Sequence, residues 1–167
     1  QSTGMKIGEM QHELAQLGNG AHALAIQILG NRDDAADAVH DALLSVLNRP
    51  AGYDAGKGPL KPWFMRIVRN RCLDLLRRRR PSGEPVEEIA DQAAGPEQIV
   101  ETHDRDRVLE LALAAIDPAQ REIIVLRDYM DLSYADIARV LEIPQGTVMS
   151  RLHRARLTLA KAFKAYE

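Results

Sequence analysis

The residues of this sequence best suited to chemistry are hydrogen-bond donors for a polyanion. Between Gln145 and Arg154 the chain sets out Gln145, Thr147, Met149, Ser150, Arg151, His153 and Arg154, all expected on the outer face of one helix. Gln and Arg can pair with two atoms of a base edge at once, while Ser, Thr and Arg also hold phosphate oxygens. A second donor set lies upstream: Arg66 to Arg80 holds seven arginines against one acid, Asp74. A run such as Arg77–Arg80 reads charge rather than base identity, which suits a phosphate backbone.

Other chemistries lack their parts. No paired carboxylates, nucleophile triad, phosphate-binding loop or ligand cluster stands at workable spacing, so no catalytic residue is assigned. The five histidines (12, 22, 40, 103 and 153) are scattered, and neither metal, cofactor nor small-molecule substrate is expected. The lone Cys72 falls among apolar helix residues and reads as a packed thiol; a single cysteine fits a reducing, cytoplasmic setting. No apolar run approaches the roughly 20 residues that cross a bilayer, so membrane insertion is not expected. Gln1–Gly4 read as residues ahead of a natural start at Met5. The net charge of −2 would argue against nucleic acid, but charge is segregated. Pro81–Asp104 carries seven acids and no Lys or Arg, and Gln145–Tyr166 is basic again. Two basic helices joined by an acidic connector imply two separate contacts with a polyanion.

The positioning elements are helices. Aromatics are scarce and apolar residues recur at helical spacing, so the chain reads as all-α. A first helix is expected near Lys6–Leu17, interrupted at Asn19-Gly20, and a second over His22–Leu29, stopped by Gly30-Asn31. Asp33 and Asp34 are expected to cap and open a third helix that Pro50 ends. Ala51–Leu60, with three glycines and a proline, reads as loop. Pro62 then suits the first turn of a fourth helix that buries Phe64, Ile67, Val68, Leu75 and Leu76 and that Pro81 closes. Residues 81–103 read as a flexible acidic linker. From Asp104 the helical pattern returns, with Val108, Leu109, Leu111, Leu113 and Ile116 available for burial. Asp117-Pro118 opens a helix carrying Ile123, Ile124, Leu126 and Tyr129, and Ser133 with Asp136 resembles a capping box. A short helix ends at Glu142-Ile143-Pro144, and a long basic helix follows, burying Val148, Leu152, Ala155, Leu159 and Phe163. Short helix, tight turn and long helix make a helix-turn-helix, which presents the start of its second helix to the major groove. The turn departs from the usual pattern, because Glu142 stands where glycine commonly takes a left-handed conformation at a cost of about 1 kcal/mol to other residues.

With these pieces in order, LGNRDDAADAVHDALLSVL, PWFMRIVRNRCLDLLRRRR, IDPAQREIIVLRDYMDLSYADIA and GTVMSRLHRAR, the chain resembles the extracytoplasmic-function sigma factors of the sigma-70 family. The resemblance implies two small helical domains, a sigma 2-like domain over 5–80 and a sigma 4-like domain with the helix-turn-helix over 104–167, joined by the acidic linker 81–103. It implies core RNA polymerase as partner, through its clamp helices and flap, promoter DNA at the −10 and −35 elements, and an anti-sigma factor holding the protein inactive. On that basis Asp33, Asp34, Asp37, Asp41, Leu44 and Leu47 are expected at the clamp contact. Lys57, Lys61, Trp63, Arg66, Arg69, Asn70, Arg77 and Arg78 are expected at −10, although Trp63 reads rather as a core anchor than as a stacking platform. The −35 contact falls to Gln145, Thr147, Met149, Ser150, Arg151, His153 and Arg154. The loop from Gly52 to Lys61 corresponds to the family segment that captures a flipped base, but does not closely match the commonest version. Met149 stands where the family often has lysine. The alternative is a stand-alone helix-turn-helix regulator whose first unit senses or dimerises; it predicts tight operator binding without polymerase.

Overall fold

Seven α-helices make up the described part of the chain. The computed structural model describes residues 5–79 and 104–166, so the acidic connector 81–103 lies outside it, as does Arg80. The first unit comprises α1 (Ile7–Leu29), α2 (Arg32–Asn48) and α3 (Leu60–Arg79). The second comprises α4 (Asp104–Ala115), α5 (Pro118–Ile124), α6 (Tyr134–Leu141) and α7 (Gln145–Ala165), with one π-helical turn, Val125–Tyr129, continuing α5.

Asn19-Gly20 does not interrupt α1, which is one continuous helix. A mid-helix glycine costs about 1 kcal/mol relative to alanine. Here it lets the second unit approach: a Cβ at Gly20 would lie 2.8 Å from the Cε of Met130. The expected stop at Gly30 is present, with φ 72° and its N–H on the carbonyl of Ile26. The cap of α2 is Asn31 rather than Asp33 or Asp34. Its Oδ1 accepts the Asp34 N–H at 3.0 Å, which leaves both aspartates in the first turn, favourable to the helix dipole.

Leu24 and Leu29 of α1, Ala35, Ala38 and Ala42 of α2, and Phe64, Met65 and Val68 of α3 fill the first unit's core. The alanines let α2 lie close on its neighbours. The expected loop before α3 contains two short 3-10 turns, Pro50–Gly52 and Ala55–Lys57, and Tyr53 between them is buried with its hydroxyl donating to Gly58 O at 2.8 Å.

In the second unit Ile123, Leu126, Ile137, Val140, Val148 and Leu152 form the core. Leu109 and Tyr129 depart from the expected stripes. Leu109 is 40 % exposed, and within α4 only Ala112 is fully buried. Tyr129 is 61 % exposed because the π turn inserts one residue, rotating Tyr129 outward and Met130 into the core; the Met130 N–H reaches back to Val125 O at 2.9 Å. The two units do not stand apart: their buried apolar residues form one contiguous cluster.

Candidate nucleic-acid interfaces

The helix-turn-helix is built from α6 and α7. Ser133 Oγ accepts the Asp136 N–H at 3.1 Å and starts α6. Glu142 ends it in the left-handed region (φ 57°, ψ 47°), and Ile143 N–H closes on Ala138 O at 3.1 Å. Pro144, extended at φ −62° and ψ 148°, then aims the chain into α7, and its carbonyl accepts the Thr147 and Val148 amides. Val148, Leu152 and Ala155 turn inward, so Gln145, Met149, Ser150, Arg151, His153 and Arg154 lie exposed on the first three turns; Thr147 is half-buried. Met149 is 54 % exposed, an apolar side chain among donors. Further along, Arg156 clamps both carboxylate oxygens of Asp128, tying α7 to the π turn.

The second donor set lies on α3 and the loop before it, in a different condition. Lys61 Nζ donates to Met130 O at 2.7 Å, Arg69 Nε to Glu122 Oε1 at 2.7 Å, and Arg66 pairs with Glu142 at 2.5 Å. Each of those partners belongs to the second unit. Lys57 is exposed, but its carbonyl accepts from Arg139 Nη1 at 3.1 Å. Trp63 is half-buried against Tyr53, ring centroids 4.9 Å apart, and neither wholly core nor an open stacking face. The two rings with Asp54, Lys57, Pro62, Arg66 and, from α6, Arg139 line a recess of about 320 Å³. Gly58 at its rim has φ 143°, a backbone conformation that favours glycine, and a Cβ there would displace the Arg139 guanidinium. Asn70 and Arg78 are exposed, and Arg77 pairs with Asp74 one turn back.

On α2, Asp33, Asp37 and Asp41 are exposed, and Leu44 and Leu47, at 46 % and 36 % exposure, form an apolar step beside them. Asp34 is engaged instead by Arg79, and that hydrogen bond holds its carboxyl below the usual range.

The pair Arg121 and Glu122 carries weight that the sequence reading missed. Both are buried. Arg121 Nη1 donates to Ile116 O at 2.7 Å and, more loosely, to Leu113 O and Ala114 O, satisfying the end of α4; Nη2 donates to Gln27 O of α1 at 3.2 Å. Burial pulls its pKa below the ordinary arginine value. Burial pushes the Glu122 carboxyl up, against the opposing pull of Arg69 and Arg151. The only available signal was two adjacent charges inside the apolar run AQREIIVL. Cys72 is fully buried, and loss of hydration pushes its thiol up to about 12. No helix among the described residues is long and apolar enough to cross a membrane.

Comparison with known proteins places these elements in a family. The model of sigma-70 region 2 matches residues 14–82, and that of sigma-70, region 4 matches residues 106–159. The ECF RNA polymerase sigma factor SigM of Mycobacterium tuberculosis is 39 % identical over 147 residues, covering 84 % of this chain and 69 % of that protein. SigL of the same organism is 34 % identical over 145 residues, covering 81 % and 80 %. Among solved structures, the sigma factor RpoE in complex with the anti-sigma factor NepR from Bartonella quintana superposes with a TM-score of 0.70 at 27 % identity, over 93 % of this chain and 96 % of that one. CnrH in complex with the cytosolic domain of CnrY shares the fold, with a TM-score of 0.66 at 23 % identity, over 96 % and 90 %.

Proposed function

We infer the workings of this chain from its family: it belongs to the extracytoplasmic-function sigma factors of the sigma-70 family, and it is a sigma factor for transcription initiation. The observation that carries the reading is the pairing, in one chain and in order, of a region 2 match that includes α3 with a region 4 match that includes the helix-turn-helix. It favours sigma action over a stand-alone regulator, which has no use for the first unit's arginine helix.

We propose the following division of labour. A domain over 5–80 engages the polymerase clamp helices through Asp33, Asp37, Asp41, Leu44 and Leu47, with Asp34 freed from Arg79. The same domain meets the −10 strand through Lys57, Lys61, Trp63, Arg66, Arg69, Asn70, Arg77 and Arg78. The recess beside Trp63 supplies the pocket for an unstacked base, whose extrusion costs a few kcal/mol that the pocket must offset. A domain over 104–167 engages the flap and reads −35 in the major groove. There Gln145, Arg151 and Arg154 address base edges or phosphates, Thr147, Ser150 and His153 add hydrogen bonds, and Met149 makes apolar contact with a thymine methyl. The acidic connector 81–103 runs toward the polymerase cleft or the RNA exit path, where its charge imitates nucleic acid. The protein performs no catalysis of its own, since the polymerase joins the nucleotides, and it works in the cytoplasm. An anti-sigma factor covers the polymerase-facing surfaces, a partner class supported by the RpoE–NepR complex.

The test is binding of the full chain to bacterial core RNA polymerase, followed by footprinting on promoter DNA. Binding to core, with two protected elements seen only with polymerase present, is expected. Tight protection of one operator by the chain alone would favour the stand-alone regulator.

A further inference from the structure

We propose that Met149 is a modification site on the DNA-reading face, where a peroxide converts the thioether to a sulfoxide and weakens promoter recognition. The inference rests on the assignment of α7 to the −35 major groove and of Met149 to a thymine methyl.

The chain has five methionines and one cysteine. Met10, Met65 and Met130 are buried, and Met5 is half-buried. Cys72 is fully buried with its thiol pushed up to about 12, so it offers no accessible thiolate to meet an oxidant first. Met149 is the exception, at 54 % exposure. A long side chain on a helix leans over the turn on its N-terminal side, which for Met149 is the turn of Gln145 and Gly146. Gly146 places no side chain there, and even a Cβ at that position would meet nothing within 4 Å. The most exposed sulfur-bearing residue of the chain thus lies among Gln145, Ser150 and His153, on the face assigned to the bases.

The reaction needs only a peroxide. The thioether sulfur attacks one peroxide oxygen, so that an S–O bond forms as the O–O bond breaks. The other oxygen leaves as hydroxide and takes the remaining hydroxyl proton to become water. Sulfur gives up two electrons and the peroxide gains two. A methionine sulfoxide reductase reverses the change, a dithiol becoming a disulfide as the oxygen departs in water. The product puts a polar acceptor where the side chain made apolar contact. A thymine methyl offers that oxygen no donor, whereas the cytosine amino group does. Arg151 and Arg154 keep their charges, so attraction to DNA persists while discrimination at this base is lost.

The full chain is treated with graded hydrogen peroxide, and catalase then removes the excess. Peptide mass spectrometry follows oxygen uptake at each methionine, and run-off transcription with core RNA polymerase follows activity. Met149 is expected to take up oxygen before Met10, Met65 and Met130. Transcription is expected to fall about tenfold in step, as for the loss of one matched base pair, and to return after incubation with the reductase and a dithiol. Met149→Leu carries no sulfur there, so its transcription after peroxide is expected to equal its own level before. Met149→Gln, with a permanent polar acceptor, is expected to be as weak as the oxidised chain. Met149 oxidising no faster than the buried methionines, transcription indifferent to its oxidation, or Met149→Leu losing as much as wild type would each overturn the proposal. Those three results leave the sigma reading standing. An untreated chain that drives no transcription would sink that reading and this inference with it.

Discussion

Replacing Arg121 by Met keeps the length and apolar stem of the side chain and removes its donors. Two of its hydrogen bonds have good geometry, to Ile116 O at 2.7 Å and Gln27 O at 3.2 Å; the remainder are at 3.3–3.4 Å. A hydrogen bond to a charged group contributes about 1.5–3 kcal/mol. Against two such bonds stands the cost of burying the guanidinium, expressed in its lowered pKa and recovered on substitution. The balance is a loss of about 3 kcal/mol, shared between the α4 end within the second domain and the Gln27 contact that couples the domains. For a cooperative unit of this size that shifts Tm by about 6–12 °C. Urea unfolding, followed at once by helical circular dichroism and by the fluorescence of Trp63, the sole tryptophan, separates the two shares. The two transitions are expected to coincide in the wild type and to part when coupling is lost. Arg121→Lys recovers only part of the loss, since an ammonium cannot span two carbonyl groups as the planar fork does. A change below about 0.5 kcal/mol in Arg121→Met, with transitions still coincident, would refute this reasoning.

Further expectations follow from individual groups. Because burial raises the Glu122 pKa in the folded chain, the folded state binds that proton more tightly than the unfolded state does. Its contribution to stability is therefore fully present below the ordinary carboxylate range and is lost as pH rises through the raised value, which urea unfolding across that window will follow. Cys72, buried with its thiol pushed up to about 12, should resist a thiol reagent at pH 8 in the native chain and react at the normal rate in urea. Asn31→Ala removes the cap of α2 and should cost about 1 kcal/mol in the same urea titration, with Asn31→Asp nearly neutral. Arg151→Ala with Arg154→Ala should reduce −35-dependent transcription and flatten its salt dependence while leaving core binding unchanged.

Much of this fold was legible because its signals are local. Gly30, Pro50, Ser133 and Pro144 punctuate helices by backbone chemistry within a few residues, and the helix-turn-helix follows from them together with the apolar spacing of α7. Glu142 was legible too: its departure from glycine was read as a strained left-handed residue, and it has φ 57°. What escaped depends on residues distant in sequence. Gly20 reads as a helix breaker until Met130 is placed against it, and Arg121 with Glu122 reads as solvent-facing charge until Gln27 and Arg69 arrive from the other unit. The π turn left no mark in composition; only the outward Tyr129 and inward Met130 reveal its extra residue. The donor residues were recognisable by type and spacing. That Lys61, Arg66 and Arg69 are engaged by the second domain was not, since no periodicity encodes how two helical units dock.

The most direct test of the central claim is run-off transcription with bacterial core RNA polymerase on fragmented host DNA, with and without this protein. Discrete new transcripts, whose upstream sequences align into a −10 and a −35 element at fixed spacing, are the predicted result. No new transcripts, from a chain that also fails to bind core polymerase, would contradict the account.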